Sequence, residues 1–272
     1  MSGLRQRWRT VCAGLVENLQ ARQFWAAVPE NRFTQDGFEV IEGFLDREEC
    51  ERLIVLADEM LPGPGRRILG NCYTWVKSEA AHGRNRGVRE LLNVDEIDSR
   101  LAELKASRIV QDLFTERLGE RVELLGFSIQ FDDVDTTSKR GFHVDGLFPP
   151  QLKAFIYLND VEENGDGPYT IVPGSHRWFL RKFLNDVVNA CTTGARRDMR
   201  LLVSEARLRT VLAPAGTLIL STQDAIHKGW TNHWRQPRHA LIAYARTAAR
   251  SEGGPLTEGI EFLPVDDMSS GV

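Results

Sequence analysis

Cysteine is scarce and scattered. Cys12, Cys50, Cys72 and Cys191 are the only four in 272 residues, and no two form a C-x-x-C pair. Neither a zinc knuckle nor a disulfide framework is written into the chain, and a reducing cytoplasmic compartment is expected. Long apolar runs are missing as well. No stretch approaches the roughly 18–20 apolar residues of a membrane-crossing helix. The run from Val11 to Val16, behind Arg5, Arg7 and Arg9, is too short for the core of a secretion signal. No membrane partner is expected. Positive charge is in deficit: 34 Lys and Arg against 38 Asp and Glu leave a formal charge of −4. That sign argues against a protein that grips phosphate backbones, so no nucleic acid partner is expected.

The residues that are present make an ordinary globular chain, 42% apolar and 26% charged. It carries no repeat and no low-complexity linker, and reads as one domain over residues 1–272. Leu4, Trp8, Val11, Leu15 and Leu19 recur at helical spacing. A short strand over 37–42 precedes a helix whose N-cap is Asp46, with Glu49 three residues on as in a capping box. Residues 62–90 lose all periodicity and read as a long loop; a helix is predicted near 98–118. From Val122 the texture changes to short strand-like runs at 122–131, 152–159, 168–173, 211–213, 217–221 and 238–246. Strands packed this closely suggest a sandwich or barrel. The expected fold is mainly β, with a helical N-terminal part. Residues 1–121 supply mostly helical support and a lid, and residues 122–250 form the β core.

The strongest local signal is Gly141-Phe-His143-Val-Asp145-Gly. Two residues apart on extended chain, His143 and Asp145 point to one face and offer an imidazole and a carboxylate together. Alone the pair is weak, since six His and 17 Asp in 272 residues give roughly 0.4 such pairs by chance. Its context strengthens it. An apolar strand launched at Ala215-Gly216 delivers His227 at its far end. Two His and one carboxylate form the facial triad of non-haem iron oxygenases, with three metal positions open. Eleven residues past His227, Arg238 opens another strand. An Arg pointing into a barrel is costly unless it meets a carboxylate, which its planar fork suits.

With these residues in place, the chain resembles the phytanoyl-CoA dioxygenase-like branch of the Fe(II)/2-oxoglutarate dioxygenases. The matching elements are His143-x-Asp145, Asn164-Gly-Asp-Gly-Pro-Tyr-Thr-Ile-Val-Pro-Gly-Ser-His176, His227 and Arg238. The opening from Asp36 to Asp46 is similar too, so the likeness runs from about residue 33 to about 246. It implies a double-stranded β-helix, a cupin-like jelly roll. It also implies Fe(II) held by His143, Asp145 and His227, and 2-oxoglutarate whose distal carboxylate pairs with Arg238. Gln130 matches a position that offers an amide near the cosubstrate, and Phe155 one that lays a ring against it. Family members often carry a hydroxyl two residues after the distal His; here that residue is Gly229, and Lys153, Tyr157 and Thr170 are candidates to replace it. Related halogenases lack the carboxylate ligand, so Asp145 favours hydroxylation.

The resemblance therefore implies a 2-oxoglutarate-dependent hydroxylase. It would act with dioxygen on a C–H bond of a small organic substrate, releasing succinate and CO2. Two alternatives stay open: a metal-dependent isomerase or hydrolase without 2-oxoglutarate, and a non-catalytic metal- or ligand-binding relative. Lys153 faces either solvent or an anion in the cavity. His176 reads as structural, and His82, His233 and His239 as surface or core residues. Trp230 is core or cavity wall, while Arg196, Arg197 and Arg200 belong to a solvated loop or a lid. Between 66 and 89, Arg66, Arg67, Lys77, Arg84, Arg86 and Arg89 face only Glu79. Such a local field suits an anionic substrate beneath a flap.

Overall fold

A computed structural model describes residues 2–76, 85–138, 141–192, 198–199, 203–229 and 237–247. Lys77, His82, Arg84, Trp230, His233, Arg196, Arg197 and Arg200 lie outside the described residues, as does the side chain of Arg86. Helix α1 (Ser2–Ala27) and the short α2 (Arg32–Asp36) lead into β1 (Phe38–Ile41) and α3 (Arg47–Met60). Asp46 caps α3 by accepting the Glu49 N–H at 2.7 Å. The box is half made, because the Glu49 carboxylate turns instead to Arg52 and Arg100.

Most of the described part of the segment read as a loop is sheet. Strands β2 (Arg66–Leu69), β3 (Cys72–Val76) and β4 (Asn85–Leu92) form a meander on the edge of the main sheet. Their charged and apolar residues do not alternate in a way that signals strands; the pairing comes from β5 alongside. Two helices, α4 (Ser99–Ser107) and α5 (Ile109–Leu118), replace the single one expected, because Arg108 takes a left-handed conformation between them. Next come β5 (Val122–Ser138), β6 (Gln151–Tyr157) and β7 (Tyr169–Ile171). They are followed by α6 (Phe179–Cys191), β8 (Arg209–Thr210), β9 (Leu218–Thr222), β10 (His227–Gly229) and β11 (Arg238–Thr247).

Eight strands order as β1-β9-β6-β11-β5-β4-β3-β2, and three more as β10-β7-β8, every pair antiparallel. Period-two alternation divides the main sheet cleanly. Leu152, Ala154 and Ile156 of β6, with Leu241 and Ala243 of β11, bury against Leu53 and Phe114 of the helices. The opposite face carries Lys153, Phe155 and Tyr157 on β6, and Ala240, Ile242 and Tyr244 beside them on β11. Among the described residues no helix is long and apolar enough to cross a membrane.

Candidate functional site

His143 lies between β5 and β6 and is tied to the start of β10. The backbones of His143 and His227 exchange both hydrogen bonds at 3.0 Å, which sets the two imidazoles side by side with centroids 4.4 Å apart. Asp145 N–H donates to Gln223 O at 2.9 Å and brings the carboxylate to the same spot. The ligand atoms of His143, Asp145 and His227 all fall within 4.8 Å of one another. Each Nδ1 faces a carbonyl at 2.9 Å, Gly141 O for His143 and Ala225 O for His227. A carbonyl only accepts, so Nδ1 carries the proton and Nε2 keeps its lone pair for a metal. Both Nε2 atoms look toward Asp145, at 3.5 Å for His143 and 3.9 Å for His227. The donor set therefore fits a divalent transition metal.

Lys153 faces the cavity, resolving the two orientations left open by its strand. Its ammonium donates to Asp145 Oδ2 at 2.8 Å and sits 5.3 Å from the Tyr244 ring. Burial pushes the Asp145 carboxyl up, yet the Lys153 ammonium, aided by the two imidazoles, outweighs it and holds the group well below the usual carboxylate range. Phe155 stacks at 4.8 Å on Tyr169, whose ring lies 5.7 Å from that of His227. The Tyr169 hydroxyl pairs with Ser221 Oγ at 2.7 Å, and Gln223 Nε2 donates to the same oxygen at 3.2 Å.

Arg238 opens β11 on the same face and meets the carboxylate that its burial demands, but that carboxylate belongs to the chain. Asp132, opposite it on β5, accepts from Nη2, and Gly167 O accepts from Nη1. Gln130 points the same way and donates to Asp132 Oδ1 at 2.9 Å. Among the described residues the Arg238 Nε–H has no partner. The expected substitutes for the hydroxyl missing at Gly229 are otherwise engaged. Thr170 turns away to Thr210, and the Tyr157 hydroxyl bonds Val211 O and the Tyr169 N–H. Burial pushes the Tyr157 phenol up to about 12.

His176 is structural, as read: Nε2 faces Thr34 O at 3.0 Å in a fully buried setting. His239 lies on the helix side, 3.1 Å from Asp58. The basic segment does not hold its described arginines over the site. Arg66 reaches the carbonyls of Pro62 and Met60, and Arg67 that of Gly70. Arg89 lies over Phe131. Asp132, Tyr169, Ser221 and Gln223 escaped the sequence reading. The one signal for Asp132 was its place two residues past Gln130, on the same strand face.

The family profile described as Phytanoyl-CoA dioxygenase (PhyH) matches residues 33–240. No curated protein matches the chain. The epimerase SnoN, crystallised with Fe3+, alpha ketoglutarate and nogalamycin RO, is 18% identical with TM-score 0.57, covering 85% of this chain and 84% of that one. The carbocyclase SnoK from nogalamycin biosynthesis is 18% identical with TM-score 0.59, covering 80% and 82%. HygX from Streptomyces hygroscopicus, with nickel and 2-oxoglutarate bound, is 15% identical with TM-score 0.53, covering 82% and 88%. At these identities the likeness establishes the fold, a cupin-like jelly roll. With the profile spanning most of its length, the chain belongs to the phytanoyl-CoA dioxygenase family.

Proposed function

We propose that this protein is an Fe(II)- and 2-oxoglutarate-dependent oxygenase that hydroxylates a C–H bond of a small organic substrate. The observation that carries the reading is the convergence of His143, Asp145 and His227, each imidazole proton already spent on a carbonyl. Those three residues would hold the iron. Bound there with 2-oxoglutarate, iron supplies oxidising power drawn from dioxygen, with succinate and CO2 as coproducts. Arg238 would take the distal carboxylate. Asp132, Gln130 and Gly167 O keep the guanidinium from swinging away. Phe155 and Tyr169, packed against each other beside His227, would lie against the cosubstrate. Lys153 keeps Asp145 ionised and holds its Oδ2, leaving Oδ1 toward His143 Nε2.

Anaerobic loading with Fe(II), then exposure to oxygen with 2-oxoglutarate and candidate substrates, tests this. Substrate-stimulated succinate release with one oxygen atom gained by the product supports hydroxylation. A second outcome has a motive in the structural neighbours, which include an epimerase and a carbocyclase. A product isomeric with the substrate, or one short of two hydrogens, would move this protein to those classes. Iron-loaded protein that never consumes 2-oxoglutarate would overturn the reading.

A further inference from the structure

Three consecutive carbonyls, those of Gln223, Asp224 and Ala225, end on three different partners. Gln223 O accepts the Asp145 N–H, and Ala225 O accepts His227 Nδ1–H, both at 2.9 Å. One short turn thus steers two of the three candidate ligands. The carbonyl between them, Asp224 O, accepts from Lys182 Nζ at 3.2 Å, and the same ammonium donates to His176 O at 2.6 Å. Lys182 comes from α6 and is 2% exposed. The Asp224 carboxylate lies 4.0 Å from its ammonium. That carboxylate takes the Trp25 indole N–H from α1 at 2.7 Å, and the Thr222 hydroxyl from the end of β9. The next residue along, Ile226, is pinned through its N–H to Ser175 Oγ at 2.7 Å.

Burying an ammonium and a carboxylate costs more than an apolar pair of the same shape in many proteins, so stability alone is a poor reason for such a pair. The position of this one supplies another reason. We propose that Lys182 and Asp224 are positioning residues for the metal centre. They fix the 223–225 turn, and through its carbonyls they set the orientation of the His227 imidazole and the approach of Asp145. Helices α1 and α6 are thereby tied to the ligands through this turn. This rests on the reading that His143, Asp145 and His227 hold a metal.

The test uses the full-length chain, freed of metal and titrated with Co(II) alone, following visible absorption. Far-UV circular dichroism and the thermal midpoint are measured alongside. Lys182→Met and Asp224→Asn are expected to weaken Co(II) binding by about 10-fold, the low end of the range found when groups bonded directly to metal ligands are removed. The absorption bands should shift as well, because the imidazole is presented differently. Trp25→Phe removes the indole N–H together with part of a buried ring, and should shift both readouts in the same direction by less. Should Lys182→Met fail to fold, Asp224→Asn and Trp25→Phe carry the test. Folded variants with lower thermal midpoints but Co(II) affinity within about twofold of wild type, and unchanged bands, would overturn the proposal and leave the pair as helix packing. Wild-type protein that takes up no Co(II) would overturn the metal reading, and the positioning role with it.

Discussion

His143 and His227 are useful as a pair because a carbonyl claims the Nδ1 proton of each. Replacing either imidazole, or Asp145, by alanine removes one of three donors at a site nearly closed to solvent. Each variant is expected to lose turnover while keeping its circular dichroism. Near-normal succinate production by any of them at subsaturating Fe(II) would strike that residue from the ligand set. Arg238→Ala is expected to raise the 2-oxoglutarate requirement, with little change in iron binding. A charge-assisted hydrogen bond contributes about 1.5–3 kcal/mol, which is roughly ten- to hundredfold in affinity. Arg238→Lys should recover part of it, since an ammonium cannot reproduce the fork. Unchanged cosubstrate affinity in the alanine variant would move the anchor to Lys153. These residues were legible because their types and intervals are rare in combination. Asp132 was not, because its role depends on the register of β5 and β11, which sets it opposite a residue 106 positions away. Tyr169 and Ser221 sit in apolar strands where a hydroxyl leaves no periodic trace.

The tight turn before β9 shows how elements meet. Gly216 has φ +83°, its carbonyl accepts from Phe44 and Leu45, and its N–H donates to Tyr157 O. A Cβ there would run into the carbonyl oxygen of Leu45. Gly63 has φ +93°, but a Cβ would meet only the far end of the Arg66 side chain, at 3.4 Å. Gly63→Ala should therefore cost about 1–2 kcal/mol, the left-handed penalty alone. Gly216→Ala should cost more, about 3 kcal/mol or above, as backbone must also shift. Urea midpoints of the two variants decide this, and equal losses would mean that the turn yields easily. Strands with clean alternation, such as β6 and β11, were readable in the chain. Helix α6 was not, because its amphipathicity is inverted. Lys182, Asn185, Asp186 and Asn189 turn inward, while Leu180, Leu184 and Val188 are exposed. Its polar stripe faces the turn behind the ligands and α1, so a rule that sends apolar residues inward misplaces it. The β2–β4 meander was hidden for a related reason: its strands borrow their order from β5.

At the scale of the molecule, one sheet separates a helical layer from the site, and two basic side chains, His176 and Lys182, are buried. Burial pulls His176 down from the ordinary 6.5 to about 4 and Lys182 down from 10.5 to about 8. For a cation whose pKa is lower folded than unfolded, the unfolded chain binds more protons between the two values, so stability rises with pH across that window. Both groups give the same sign in different windows, about 4 to 6.5 for His176 and about 8 to 10.5 for Lys182. His239, lowered mainly by burial on the helix side, adds in the same direction in the acid window. Asp145, held below its usual range, loses its contribution only as pH falls below about 3.8, outside both windows. At about 1.4 kcal/mol per pH unit and group, the His176 share of the change from pH 6.5 to 5 is about 2 kcal/mol of stability lost. Urea midpoints of metal-free protein read this directly. His176→Gln keeps an N–H for Thr34 O and has nothing to titrate, so it should flatten the acid slope. A variant whose stability falls as steeply as wild type between pH 6.5 and 5 would show that His176 is not the group taking up the proton.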